Sequence, residues 1–358
     1  MNSFEINDKR TIKEFRGITF SGYKKSDAKK ELTNCLLNSR IEQSCYWSAE
    51  FICAGQLLDL WEIILLFMSK HIHLGNPKLA LYLQMRFSNF KEIIISKYSG
   101  NELHVRNNLK IRRLFAEIMT ILCLSTKKHT LNTIKIDKKE FDMSNLANKL
   151  KADKVHYANS IFGEGDPKEL FIALNELAYN VSSMKNNNVQ ACYWIEWIIS
   201  LETICKRDKK EPLKCANRHF IAVENKFKTD IVWMIWQVLL LEATQRGENI
   251  KKIIDALLEL FTIKYKRGSK RKRKMILYYA VALITEPVNL NIPIYTDCSE
   301  IKLMTEKINI IYNQVKANEI KPKTGYLFHS LTSSNRTIET TLKKLDKMSN
   351  LMIPRKQS

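Results

Sequence analysis

The chain has 358 residues, 45% of them apolar, with 58 Lys and Arg against 37 Asp and Glu, a formal charge of +21. The apolar fraction excludes wholesale disorder, and only ten Gly and seven Pro disfavour a turn-rich β fold, favouring long helices with short connections. The charge draws the chain toward polyanions, nucleic acid before an anionic membrane, against a background of Lys, Asn and Ile that an AT-rich genome supplies without function.

Residues 1–22 are mixed and polar, with a short extended piece at Ile18–Phe20. A helix is expected over Ser26–Leu37, where Ser26-Asp27 gives an N-cap signal. Two more occupy the opening of residues 44–83. Apolar residues at Trp47, Phe51 and Ala54, and then at Leu57, Leu60, Ile64 and Phe67, recur at helical spacing on either side of a hinge at Gly55. The corner Gly75-Asn76-Pro77 launches the next helix, to about Tyr98, with proline in its first turn. Another runs from Asn108 to Leu124. Residues 125–142 break the pattern, with weak alternation at Thr133–Ile136, and read as a connector between two helical halves.

Short helices are expected near Met143–Leu150 and Lys154–Phe162, followed by an amphipathic helix capped by Asp166-Pro167 and ending at Ser183. Val189–Cys205 is a second Tyr-Trp helix, with Tyr193-Trp194 repeating Tyr46-Trp47; the echo suggests a duplication but sets no repeat period. A basic loop, Lys206–Lys214, precedes Phe227–Ala243, which is apolar nearly all round and should be the most buried helix. Helices at Ile250–Ile263 and Arg271–Thr285, an extended Glu286–Thr296 and a helix at Ser299–Asn318 follow. From Glu319 the chain is polar and basic, a mobile tail with one further helix at Thr337–Met348. The divisions are therefore 1–124, 125–142, 143–318 and 319–358, and the expected fold is all-α: two helical halves packed as a continuous multi-helix array, with a Tyr-Trp helix in each.

The order Tyr46-Trp47, Ala49, Gly55, an apolar helix, and then Ser69-x-x-Ile72-x-Leu74-x-Asn76-Pro77-x-x-Ala80 resembles the C-terminal helical collar of clamp-loader-like AAA+ ATPases of the replication-restart type. Lys70 and His71 stand where that family has its acidic pair, and Asn76 where it has the acid before proline. The resemblance covers about a ninth of the chain. It implies a helical oligomerisation module near replicating DNA and implies no activity, because the chain contains no G-x-x-x-x-G-K-[ST] loop.

The densest chemical signal is Lys264-Tyr265-Lys266-Arg267-Gly268-Ser269-Lys270-Arg271-Lys272-Arg273-Lys274, eight cations in eleven positions. So many like charges repel, and those starting the next helix oppose its dipole. A phosphate-binding turn explains them; a nuclear import signal or a solvated loop are the competing readings. The candidate nucleic-acid contacts are Lys264, Lys266, Arg267, Lys270, Arg271, Lys272, Arg273 and Lys274. The tryptophans Trp47, Trp61, Trp194, Trp197, Trp233 and Trp236 sit at helical spacing among Ile and Leu and read as core.

Eight cysteines lie mostly within apolar helical runs and read as reduced, buried hydrophobes. Cys205, Cys215 and His219, with Cys192 upstream, lack the tight Cys-x2-Cys pair of a zinc site, so no metal or cofactor is assigned. His71 and His73 read as a satisfied, partly exposed pair, and Glu50, Asp59 and Glu62 as solvated or salt-bridged. No G-x-S-x-G elbow or H-E-x-x-H helix is present. The N-terminus lacks a signal-peptide core, and the longest apolar run falls short of the ~20 residues that span a bilayer. The sequence thus points to an intracellular, non-catalytic, nucleic-acid-associated accessory protein of DNA replication or repair, at the nucleus or a viral replication site. It would bind the phosphate backbone with little sequence preference and would self-associate or dock a replication-protein partner. The alternative is a scaffold protein of an assembly such as a virion.

Overall fold

A computed structural model describes residues 4–98, 102–208 and 212–320. Helices account for 63% of the described residues, and the fold is all-α. Among the described residues there is no strand, only two isolated bridges, Ile18 with Lys24 and Lys214 with Asp230, and no helix is long and apolar enough to cross a membrane. The helix expected at Thr337–Met348 and nearly all of the 319–358 tail lie outside the described residues.

The first half holds α1 (Lys25–Leu37), α2 (Ile41–Cys53), α3 (Leu57–Phe67), α4 (Leu79–Lys97) and α5 (Leu109–Leu124). Gly55, at φ +71°, makes the bend between α2 and α3 that a side chain would strain. Asn108 caps α5, its side chain accepting from the Lys110 and Ile111 amides. Ser26-Asp27 makes no such cap, and α1 starts one residue earlier. Trp61 is buried at the centre of this half against Phe87, Phe90 and Phe115.

Between α3 and α4 the helix widens into a π-turn at Met68–Ile72 and closes in a 3-10 turn at His73–Gly75. The 125–142 connector lies along this segment, its Lys128 and Leu131 amides donating to the His71 and Lys70 carbonyls at 2.9 and 3.0 Å. His71 and His73, expected to be partly exposed, are instead buried beneath it. Their rings reach Thr130 Oγ1 (3.1 Å) and the His129 carbonyl (2.8 Å).

The second half holds α6 (Met143–Ala147), α7 (Phe171–Val181), α8 (Asn188–Asp208), α9 (Val232–Gln245), α10 (Glu248–Thr262), α11 (Ser269–Lys272), α12 (Lys274–Thr285) and α13 (Cys298–Lys316). Residues 154–162 form turns rather than the expected helix. Asp166 does not cap α7; its buried carboxylate binds Arg218 at 2.7 Å and the Ala216 amide at 2.8 Å, holding the loop between α8 and α9. The most buried helix is α12, with Met275–Ile284 all inside, whereas α9 leaves six of its fourteen residues at least partly exposed. The reason is position. α12 is flanked by α8, α9, α10 and the π-turn, so it has no solvent face over most of its length.

The two halves share one continuous core. α10 packs on α4, and α13, grouped by sequence with the second half, packs on α2 and α5 of the first. The N-terminal segment clasps the end of α13: Asp8 accepts from the Ile320 amide (2.9 Å), and Lys9 donates to the Ile320 carbonyl (3.1 Å).

Candidate nucleic-acid interface

The basic turn runs from the end of α10 to the start of α12. Its fold follows from alternation: Ile263 and Tyr265 are buried while Lys264 and Lys266 face water. Tyr265 packs against Phe227, Trp233 and Phe261. Its hydroxyl donates to Asp230 Oδ2 at 3.0 Å. Burial, reinforced by that carboxylate, pushes the Tyr265 phenol far above its ordinary value, so it remains a donor. The other oxygen of Asp230 accepts from Lys270 Nζ at 2.7 Å, and Glu202 of α8 binds the same ammonium at 2.5 Å. Asp230 therefore fixes the turn on both sides of Gly268.

The eight cations separate into two sets. Lys270 and Arg273 are buried, and Lys274 is mostly so. Lys270 holds Asp230 and Glu202, Arg273 holds Glu62 of α3, and Lys274 holds Glu196 of α8 at 2.8 Å. These three are structural cations, and their assignment as phosphate contacts is corrected: each is matched by a carboxylate from a remote element, which also removes the difficulty of placing cations at a helix N-terminus. Lys264, Lys266, Arg271 and Lys272 are exposed and Arg267 is half-exposed, leaving five cations presented together.

Beside the turn lies a groove of about 390 Å³. One wall is the last two turns of α8, with Ser200, Thr203 and Arg207; the opposite wall is the connector, with Ile136, Lys138 and Phe141. Arg271 closes the end of the groove and donates to Thr203 Oγ1. Lys138 is set in place by a capping box in which Asp137 and Glu140 satisfy one another's amides, and Phe141 stacks on Trp197 at 5.2 Å. Lys138 was not singled out in the sequence. Its Lys-Lys-Glu-Phe context after Asp137 was the available signal. Arg207 belongs to the basic 206–214 stretch expected as a loop; residues 206–208 instead end α8, and residues 209–211 lie outside the described residues.

The other candidates do not converge. Cys192 donates to Asn188 and Cys215 to the Asp230 carbonyl, while His219 is exposed. Among the described residues no three His, Cys, Asp or Glu are grouped to hold a metal. Glu50 accepts from Ser21, Asp59 pairs with Lys25, and Glu62 pairs with Arg273, so the three acids of the opening helices go separate ways. Trp61, Trp194, Trp197, Trp233 and Trp236 are core, and Trp47 is half-buried. No protein-family model matches the chain, and neither a curated protein nor a solved structure matches it.

Proposed function

We propose that the chain is a non-catalytic, nucleic-acid-associated accessory protein that holds the phosphate backbone on the turn between α10 and α12. The observation that carries this reading is the outward set Lys264, Lys266, Arg267, Arg271 and Lys272, displayed on a turn whose anchor, Tyr265–Asp230–Lys270, is buried. A rigid display loses little freedom on binding, and counterion release from the phosphates supplies the affinity. An import signal is read as an accessible extended peptide, and burial of Lys270 and Arg273 takes two cations of the run out of reach. The collar-like wording of residues 44–83 supports a place beside replicating DNA and a protein partner or second copy.

The test is duplex binding across a salt series, comparing wild type with a variant carrying Gln at Lys264, Lys266, Arg267 and Lys272. Five phosphate contacts give a slope of log K against log salt of about −4.5, at roughly 0.9 per contact. The variant should fall to a slope of about −1. Equal slopes would overturn the reading.

One observation favours the scaffold reading. Tyr46 and Trp47 of α2 line a groove with Met304, Lys307 and Ile310 of α13, beside exposed Leu303 and Ile310. Self-assembly through this face would persist at high salt, and light scattering at low and high salt reads it directly.

A further inference from the structure

We infer that the groove beside the basic turn receives one nucleotide of a single-stranded nucleic acid, which makes the protein selective for single strands over duplex. The inference rests on the proposed function and adds to it a site that the turn alone does not provide. The groove has a composition that a phosphate-only surface does not need: Phe141, Ile136, Ile199 and Ile204 give it an apolar lining. Phe141 is half-buried, one face stacked on Trp197. The lining also includes the hydroxyls of Ser200 and Thr203, the latter donating to the Ile199 carbonyl and accepting from Arg271, and the cations Lys138, Arg207 and Arg271. The acid in the lining, Glu196, is buried and already bound by Lys274 and by the Tyr278 hydroxyl, and at the rim Asp208 pairs with Arg207, which leaves Lys138 and Arg271 as the cations beyond that pair.

These kinds of group, apolar side chains, hydroxyls and cations, are the ones that a nucleotide's base and phosphates call for. A base is flat and apolar on its faces, carries hydrogen-bonding edges, and is flanked by phosphates on either side. In a duplex the faces are stacked and hidden, so the apolar lining has nothing to receive; an unpaired strand offers them freely. The volume, about 390 Å³, lies at the low end of the roughly 300–1,000 Å³ of small-ligand sites and suits one nucleotide rather than several. Arg271 belongs both to the groove and to the outward set of the turn, so a strand leaving the groove continues directly onto Lys272 and the 264–267 segment.

The experiment compares a labelled oligothymidylate, a duplex of equal length and thymidine monophosphate alone, against wild type and Ser200→Trp, which fills the groove from a half-buried α8 position. Wild type should bind the single strand roughly tenfold more tightly than the duplex, the size of one base-stacking contact. Ser200→Trp should lose that preference while keeping its duplex affinity. Lys138→Glu, at an exposed rim position, provides a second variant with no packing cost and should weaken single-strand binding more than duplex binding. If duplex affinity is normal but the preference is absent in wild type or survives in both variants, the groove inference is overturned and the function proposed for the turn stands. If the monophosphate binds as tightly as the strand, the groove is a free-nucleotide site and the strand inference is overturned. If neither strand binds wild type, both readings fall together.

Discussion

Arg273 and Glu62 lie 211 positions apart in the chain and meet as a forked pair, the guanidinium Nε 3.0 and 3.1 Å from the two carboxylate oxygens. A second nitrogen donates to the Phe261 carbonyl at 2.6 Å. One side chain thereby ties the start of α12 to α3 of the first half and to the end of α10. Arg273→Met leaves an acid and a carbonyl without their partner and should cost about 3 kcal/mol, read as a lower urea midpoint at unchanged slope. Glu62 keeps some exposure to water, so Glu62→Met with Arg273→Met should cost less than the two single losses summed.

Lys270 and Lys272 are two residues apart and should behave oppositely. Lys270 is sealed between Asp230 and Glu202, so Lys270→Met should destabilise the fold by about 3–5 kcal/mol. Well below its melting temperature, that variant should keep nearly all its affinity for nucleic acid. Lys272 is exposed; Lys272→Gln should change stability by less than about 0.5 kcal/mol and flatten the salt slope by about 0.9. Affinity lost by Lys270→Met at full stability would contradict this division.

The contrast between those two lysines also shows where reading the sequence succeeds and where it stops. The helix positions follow local signals: the apolar spacing of α2 and α3, the bend at Gly55 and the Asn108 cap are all properties of neighbouring residues. The basic turn was legible as a turn and as a cluster. Which of its cations face inward was not, because the deciding carboxylates, Glu62, Glu196, Glu202 and Asp230, lie on other elements and are identified only by packing. The same limit hid the site of α13 against α2 and α5, the burial of α12, and the approach of Lys138 to Arg207 and Arg271. The widening at Met68–Ile72 has no local signature either; it brings His71 and His73 against a connector nearly sixty residues further along.

Those two histidines make stability depend on pH. Burial, followed by the charge of Lys70 and the proximity of His73, pushes the His71 imidazole down to about 4, and burial lowers that of His73 as well. An unfolded histidine takes up a proton near pH 6.5, whereas the folded His71 resists until about pH 4. Between these values the unfolded chain binds more protons, so stability is complete above about pH 6.5 and declines as the pH falls toward 4. The loss attributable to His71 is on the order of 3 kcal/mol. Urea midpoints at pH 7 and pH 5 should therefore converge in His71→Gln relative to wild type, and parallel shifts in the two proteins would exclude His71 as the source.

Gly75 tests whether the connector is held in place by close backbone approach. A Cβ at this position would stand 2.1 Å from the Thr126 carbonyl oxygen, and backbone cannot step aside as a flexible side chain can. Gly75→Ala should push the connector outward, break the bonds from the Lys128 and Leu131 amides to the π-turn, and cost about 2 kcal/mol or more. Gly268 is the control, since a Cβ there meets nothing within 4 Å and its φ is −72°; Gly268→Ala should be neutral or stabilise by a few tenths of a kcal/mol. Amide exchange at Lys128 and Leu131 reports the local displacement, and thermal melting reports the total. Because the connector carries Lys138 and Phe141 to the groove, its displacement should also erode the preference for single strands while leaving duplex binding to the turn intact. Faster exchange without loss of that preference would mean that the connector's far end is held by the Phe141–Trp197 stack rather than by Gly75.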